Sequence, residues 1–191
     1  YDIEVSPGSL RELDRHFTET ASDFDRTKIY RSASFWSSEN RGARYDVDIS
    51  YRGAQEAHVV GPQKSWRVRF KGDALFNGEK EIDLILPQGR LYLLEELNNY
   101  RARKLGLIVP ESRFVVLRVN GRTIGVYWAA EHWSEELLEK HIKDTDAAVY
   151  GEDGFGSEFL YEDAAAWQAY TGEKKGEIPD RSSLASLLGI L

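Results

Sequence analysis

The residues best placed to do chemistry are charged side chains at the ends of predicted strands and helices. Lys64 precedes a segment whose apolar and charged residues alternate. Trp66, Val68 and Phe70 lie on one face, and Arg67 and Arg69 lie on the other. Lys64 shares the parity of Trp66, so its ammonium leans toward the covered face, where it could hold an anionic group. The alternative is a strand-end lysine whose ammonium extends into solvent, as in most proteins.

Carboxylates that could partner a strand lysine occur in two places. Glu95 and Glu96 lie on a helix predicted for 91–105, whose apolar face is marked by Leu94, Leu97 and Leu105, and Glu95 is nearer the edge of that face. Glu131 ends a predicted strand immediately before His132. The alternatives are two solvated carboxylates on the helix and, for Glu131, a charge favoured by the dipole of the following helix.

Several other chemistries are excluded or find little support. The absence of cysteine excludes thiol catalysis, disulfides and zinc–thiolate sites. The four histidines, at 16, 58, 132 and 141, show no metal-ligand spacing. The glycines at 151, 154 and 156 lack the strand–helix context of a dinucleotide site and predict a loop. The five tryptophans could form a sugar-stacking platform, although core packing is their commoner use.

Composition indicates a globular protein. The chain has 191 residues, of which 41% are hydrophobic and 30% charged, and its net charge is −7. This acidic balance argues against a general nucleic-acid binder. No stretch approaches the ~20 apolar residues of a membrane-spanning helix. Because the chain contains no methionine, it lacks its translation start, and the absence of a leader says nothing about secretion.

Hydrophobic patterning predicts an α+β fold. Strands are predicted at 1–5, 29–36, 45–52, 64–70, 82–86, 114–119 and 122–131, with a type I′ turn at Asn120-Gly121. Helices are predicted from an N-cap at Ser9, at 91–105, from Ser134 and at 163–170. We therefore expect a mainly antiparallel sheet of five to seven strands with a few helices packed on it.

The same pattern predicts one domain over 1–191 that is incomplete. Residues 1–150 form the expected sheet-and-helix core, and 151–191 the expected loop and C-terminal helices leading to a missing C-terminal part. The final segment, 184–191, is apolar at Leu184, Leu187, Leu188, Ile190 and Leu191. An apolar helical face needs something to cover it, so we expect a packing partner for this segment.

Several segments resemble, in order, the CotH family of spore-coat-protein-H-like atypical kinases. The first are Tyr1–Pro7, Asp46–Gly53 with its V-x-I-x-x-R-G pattern, and Lys64–Val68. The most specific is the block from Leu105 to Glu131, which contains Leu105-Gly106-Leu107, Pro110, Phe114-Val115, Asn120-Gly121, Gly125 and Tyr127. The order of these segments carries the resemblance, since each alone is a weak signal.

The resemblance implies a distant kinase-like fold that uses ATP and Mg²⁺ to phosphorylate Ser or Thr of a protein. It also implies an extracytoplasmic, cell-surface or spore-coat location. Lys64 would then hold the phosphates, with Glu131 or Glu95 orienting it, and Arg52 would open a phosphate-covering loop that ends at Gly61-Pro62. The family's catalytic and metal-binding carboxylates would lie C-terminal to this chain, so no catalytic or metal residue is predicted in it and the chain alone is expected to be inactive.

One departure from the family pattern keeps other functions open. Where family members carry Ser, Thr and Asn in the predicted phosphate loop, this chain has Ala54-Gln55-Glu56-Ala57-His58. A carboxylate such as that of Glu56 repels phosphate. The alternative to an enzyme is therefore a non-catalytic pseudokinase or surface scaffold. A carbohydrate-binding module that uses the aromatic residues is a further alternative.

Overall fold

The computed structural model describes residues 1–19, 28–40, 42–53, 63–142, 149–151, 164, 167–169 and 181–189. They belong to two compact units, 1–132 and 133–191. The strands of the first unit are β1 (Asp2–Val5), β2 (Arg31–Trp36), β3 (Arg44–Arg52), β4 (Ser65–Phe70), β5 (Glu81–Ile85), β6 (Ser112–Val119) and β7 (Arg122–Glu131). Its helices are α1 (Pro7–Glu19) and α2 (Leu94–Lys104), with 3₁₀ turns at Ser38–Asn40 and Pro87–Arg90.

The seven strands close into a barrel in the order β1-β2-β3-β4-β5-β7-β6. All neighbours are antiparallel except β1 and β6, whose parallel pairing closes the barrel at Asp2↔Arg118 and Ile3↔Val119. Arg118 donates two hydrogen bonds to the Asp2 carboxylate, at 2.7 and 2.8 Å, across this seam.

The predicted α+β fold, a sheet with packed helices, is therefore wrong. The structure is mostly sheet, and its helices are short beside the closed barrel. The reason is that alternation and turn residues specify which strands form hairpins, whereas the closing pair joins strands more than 100 residues apart. No local pattern marks that parallel pairing.

Aromatic side chains fill the barrel interior. Phe35 is fully buried and makes edge-to-face contacts with Tyr1, Phe70 and Phe76, with ring centroids 5.0–5.4 Å apart. This geometry suits the ring quadrupoles and adds to the hydrophobic gain from burial. The alternation predicted for the fourth strand places Trp66, Val68 and Phe70 in this core.

Helix α1 covers one end of the interior with Leu13 and Phe17, both buried. The predicted N-cap at Ser9 is wrong, because the helix begins at Pro7 and the Ser6 hydroxyl accepts a hydrogen bond from the Ser9 backbone N–H (3.0 Å). Proline suits this first helical position because its missing N–H would have no partner within the helix.

The turn between β6 and β7 confirms the predicted hairpin. Asn120 and Gly121 both have left-handed backbone torsions, with φ of 50° and 77°, as a type I′ turn requires. The Asn120 side chain also bonds both backbone groups of Val5, at 2.9 Å each, and so ties the turn to β1.

Helix α2 turns its apolar residues toward solvent. No residue of the helix is buried, and its large apolar side chains are exposed at Leu94 (45%), Leu97 (44%) and Tyr100 (53%). Its contacts with the barrel are polar, since Glu96 accepts hydrogen bonds from Ser112 and from Trp128 Nε1. Surface helices usually bury the apolar stripe, so this helix has the reverse orientation.

The start of α2 also differs from the prediction. Leu91 and Tyr92 have φ of 48° and 59°. Large side chains are strained in this left-handed region, and a right-handed helix cannot include it. The helix therefore begins at Leu94 instead of Leu91.

The second unit contains α3 (Glu135–His141), β8 (Tyr150–Gly151), β9 (Gln168–Ala169) and α4 (Ser182–Leu188). The Ser134 hydroxyl accepts from the Leu137 backbone N–H (3.4 Å), which confirms the predicted cap. Part of the helix predicted for 163–170 is strand at Gln168–Ala169. In α4, Leu184 is buried and Leu187 is exposed, and the packing partner of this segment stays a prediction.

Several predicted segments lie outside the described residues. They include most of the loop at 151–156, the phosphate loop at 54–62 and residues 190–191. Across the part of the chain that is described, no helix has both the length and the hydropathy to cross a membrane.

The barrel core predicts a strong effect at Phe35. Phe35→Ala should lower the free energy of unfolding by about 3–5 kcal/mol, because it leaves a cavity among three aromatic rings. Phe114→Ala is the matched control, since Phe114 is 40% exposed on β6 and should lose about 1 kcal/mol or less. Urea denaturation measures both. Equal losses would contradict the packing described for Phe35.

The orientation of α2 predicts an unusually small effect for a leucine. Leu97→Ala should change the free energy of unfolding by about 0.5 kcal/mol or less, because little apolar area is buried there. Leu117→Ala on β6, where the side chain is fully buried, should cost about 2–5 kcal/mol. A comparable loss in the Leu97 variant, measured in the same urea series, would show that the stripe faces the barrel.

Candidate functional site

A buried carboxylate on the outer face of the barrel organises the candidate site. Asp83 on β5 is the register partner of Arg67 on β4, and both side chains are buried. Arg67 donates from Nε to Asp83 Oδ1 (2.8 Å) and from Nη2 to Oδ2 (3.1 Å). This two-point geometry matches the guanidinium fork to the carboxylate.

Three more side chains surround this pair. Arg52, the last residue of β3, places Nε 3.3 Å from Asp83 Oδ1. Nδ1 of His132 lies 3.3 Å from Arg67 Nη2 and 3.5 Å from Asp83 Oδ2. Glu81 lies 3.8 Å from Arg67 Nε on the other side. Residues from three strands and the chain just after β7 thus meet in one ionic cluster.

The electrostatics of the cluster follow from burial and from the arginines. Burial alone would raise the pKa of Asp83, but Arg52, the contact with His132 and the pairing with Arg67 outweigh it and hold that pKa well below its usual range. Burial lowers the pKa of the Arg52 guanidinium, Asp83 opposes this shift, and Arg67 and Arg90 add to it. The arginines therefore repel one another around a single buried carboxylate.

Arg90 extends the cluster from the turn that precedes α2. The Ser65 hydroxyl, beside Arg52 in register, accepts a hydrogen bond from the Leu86 backbone N–H (3.1 Å), which fixes the start of that turn. Arg90 ends the turn and pairs with Glu95 at 3.1 Å. The 3₁₀ turn thus brings a third guanidinium to the end of β3.

Two donors in this cluster have no hydrogen-bond partner among the described residues. They are Nε of Arg52 and Nε of Arg90, both buried. Arg52 Nε lies within ion-pair distance of Asp83 but is not aligned for a hydrogen bond. Buried donors in proteins are nearly always paired, so two unpaired guanidinium donors in one cluster indicate a place where an acceptor can bind.

The cluster carries more positive than negative charge. The carboxylates that reach it are Glu81, Asp83 and Glu95, and the guanidiniums are those of Arg52, Arg67 and Arg90. Lys28 adds a fourth cation, and its pKa is lowered by desolvation and then by Arg67 and Arg52. An anion placed here would relieve repulsion among the cations.

Two of the four predicted site residues lie at this cluster. Arg52 contacts Asp83 directly, and Glu95 reaches the cluster through Arg90. Lys64 lies just before β4 with the parity of the barrel interior, and its Nζ is 5.4 Å from the centroid of the Phe17 ring. The structure therefore places Arg52 on the outer face of the sheet and Lys64 on the inner face.

Glu131 lies at a different level of the barrel from Lys64. The Tyr127 hydroxyl donates to the Lys64 carbonyl (3.0 Å), and Glu131 follows four residues later on β7, about 13 Å along an extended strand. The buried Glu131 carboxylate accepts from the Glu111 backbone N–H (3.3 Å). This contact supports the start of β6.

Sequence reasoning missed Arg67, Asp83 and Arg90. Alternation placed Arg67 on the outer face, which is right, but solvent exposure was expected there and the side chain is buried. The available signal was Asp83, a charged residue within the apolar run 82–86. A carboxylate in a strand buried on both faces needs a cation, and the neighbouring strand supplies Arg67.

A groove in another part of the barrel lies over β1, β2 and β3. It encloses about 890 Å³ and is lined by polar side chains, among them Glu4, Ser34 and Asp46. The Arg44 guanidinium lies over the Trp36 ring at 4.0 Å. This is a cation–π pair, and not the coplanar aromatic pair that a sugar platform would require.

Metal chemistry finds no set of ligands in the described ranges. No group of three or more His, Asp or Glu side chains is close enough to hold an ion there.

Comparison with known proteins now places the chain. The family described as CotH kinase protein matches residues 49–189. The inner spore coat protein H of Bacillus subtilis (strain 168) is 31% identical over 152 residues, which cover 78% of this chain and 38% of that protein. The chain belongs to the CotH family. It spans about two fifths of the length of the curated relative it matches.

The cluster predicts a large effect on stability at Asp83. Asp83→Asn should lower the free energy of unfolding at neutral pH by about 3–5 kcal/mol, because it removes the buried carboxylate that the Arg52 and Arg67 guanidiniums share. Asp48→Asn is the matched control, since Asp48 pairs with Lys71 at a more exposed position and should cost about 1 kcal/mol or less.

The difference in the free energy of unfolding between wild type and Asp83→Asn should depend on pH. Because the folded pKa of Asp83 is depressed, its stabilisation is complete above about pH 4, the ordinary Asp value, and is lost as the pH falls further. Urea denaturation should therefore show the difference narrowing below about pH 4. A difference independent of pH would contradict an ionised Asp83.

Proposed function

We propose that this chain is the nucleotide-binding portion of an ATP-dependent, protein kinase-like phosphotransferase. Its acceptor is Ser or Thr of a protein at the spore coat or another extracytoplasmic surface. Membership of a family described as kinase proteins supports the reaction, and the relative's name as an inner spore coat protein supports the location.

The observation that carries the proposal is the concentration of cations where β3 ends and β4 begins. Arg52 is the last residue of β3 and Lys64 immediately precedes β4. Arg67 lies two residues after the start of β4. Phosphoryl transfer needs positive charge fixed on the phosphates before the reaction. Arg67 is immobilised by Asp83, and strand pairing with Ser65 positions the backbone of Arg52.

Mg²⁺ enters this proposal only with the nucleotide. When bound with the nucleotide, it would supply positive charge to the phosphates. The residues described here bind and orient the phosphates, and the carboxylates that hold the metal are expected in the remainder of a longer protein. The chain by itself should then bind MgATP without transferring phosphate.

A second candidate is a non-catalytic scaffold that kept the fold. The pairing of Arg67 with Asp83 favours it, because a guanidinium already bound at two points can serve stability alone. The two candidates differ in whether MgATP binds at the β3–β4 end.

The proposed function predicts measurable MgATP binding to the chain. Calorimetric titration should detect binding to wild type and none to the double variant Lys64→Ala/Arg52→Gln, which removes a cation from each face of the sheet. Arg44→Gln is the control, since Arg44 is an exposed arginine at the opposite end of β3. It should bind as wild type does.

Two results would contradict the proposal. Equal affinities for wild type and the double variant would favour the scaffold. Transfer of radiolabelled phosphate from ATP to casein or to itself by the isolated chain would show that its catalytic carboxylates are already present.

A further inference from the structure

The proposed function leaves open which cations touch the phosphates, and the structure distinguishes between them. Lys64 has the parity of the barrel interior, and its ammonium lies against the Phe17 ring. A cation over an aromatic face is already stabilised there. A phosphate that bound the Lys64 ammonium would have to compete with the Phe17 ring. It would also have to reach the side of the sheet that α1 covers.

The outer face offers a different set of donors. The Nε atoms of Arg52 and Arg90 are buried without a hydrogen-bond partner in the described part of the chain. Arg67 is bound at two points by Asp83, so the cluster keeps its shape when Arg52 or Arg90 takes a new acceptor. Arginine is suited to this role because its planar fork matches phosphate oxygens at two points.

Glu95 completes the arrangement on the outer face. Its Oε2 lies 3.1 Å from Arg90 Nη1, and both side chains are about one third exposed. A carboxylate in this position holds the guanidinium near Arg52, but it repels an incoming phosphate. Its effect on binding is therefore opposite to that of a carboxylate that orients a phosphate-binding lysine.

We propose that Arg52 and Arg90, and not Lys64, bind the phosphates. Glu95 holds Arg90 in place until an anion takes the position of the Glu95 carboxylate. The identity of the ligand as a nucleotide rests on the proposed function, whereas the anion site rests on the arginine cluster alone. The ligand class is a polyphosphate, and the triphosphate of MgATP is its form in the proposed reaction.

The test is calorimetric titration of MgATP and, separately, inorganic tripolyphosphate into wild type and five single variants. Arg90→Gln and Arg52→Gln should each lower the affinity for both ligands about tenfold, the loss expected for a charge-assisted hydrogen bond. Lys64→Ala and the control Arg44→Gln should stay within about twofold of wild type. Glu95→Gln should raise the affinity for both ligands about threefold or more, because it removes a charge that repels the phosphates.

Arg90→Gln and Glu95→Gln decide the test if Arg52→Gln fails to fold, because these two side chains are partly exposed. Thermal unfolding of each variant without ligand establishes which ones are folded. A rise in the melting temperature with tripolyphosphate in wild type, absent in Arg90→Gln, would give independent support.

The outcomes separate this inference from the proposed function. If Lys64→Ala weakens MgATP tenfold and Arg90→Gln does not, the inference is wrong and the proposed function stands. If Glu95→Gln weakens binding, Glu95 supports the ligand and the inference is again wrong. If tripolyphosphate binds through the arginines but MgATP does not, the anion site stands and the nucleotide function fails. If wild type binds neither ligand, both fail.

Discussion

The ion pair between Asp83 and Arg67 is the interaction on which the candidate site depends. A carboxylate buried on a strand is costly unless cations approach it, and here two guanidiniums do so from two neighbouring strands. Their presence fixes β3, β4 and β5 relative to one another through side chains as well as backbone. The pairing of Asp83 also brings several arginines together. Among them, the Nε donors of Arg52 and Arg90 have no hydrogen-bond partner in the described part of the chain, and an anion could supply one.

Closure of the barrel explains why the site lies on the outer face. The interior is filled by apolar and aromatic residues, among them Phe35, Phe70 and Phe76, which contact one another through their rings. Charged residues on alternate positions of β3, β4 and β5 must then face outward. The polar contacts of α2 with Ser112 and Trp128 lie on this outer surface, where both side chains donate hydrogen bonds to Glu96.

The sequence was sufficient for several features that a local pattern determines, although the predicted cap at Ser9 was wrong. Alternation predicted the faces of β4, Asn120-Gly121 predicted its turn, and Ser134 predicted its helix cap. It was insufficient where distant segments decide. The parallel pairing of β1 with β6 has no local signal, and neither the burial of Arg67 nor the outward orientation of Leu97 follows from periodicity, which gives a face but not what covers it. The family resemblance assigned the phosphates to Lys64 and only the start of a phosphate-covering loop to Arg52, whereas the structure places on Arg52 a buried donor that is unpaired among the described residues.

Side-chain NMR of the arginine Nε–H groups tests the central claim most directly. The account predicts that tripolyphosphate, added to the ¹⁵N-labelled chain, shifts the Nε–H signals of Arg52 and Arg90 at matching half-saturation concentrations. The signal of Arg44, an exposed arginine at the other end of β3, should stay in place. Shifts confined to the Lys64 ammonium, or equal shifts at every exposed arginine, would contradict a polyphosphate site built on this cluster.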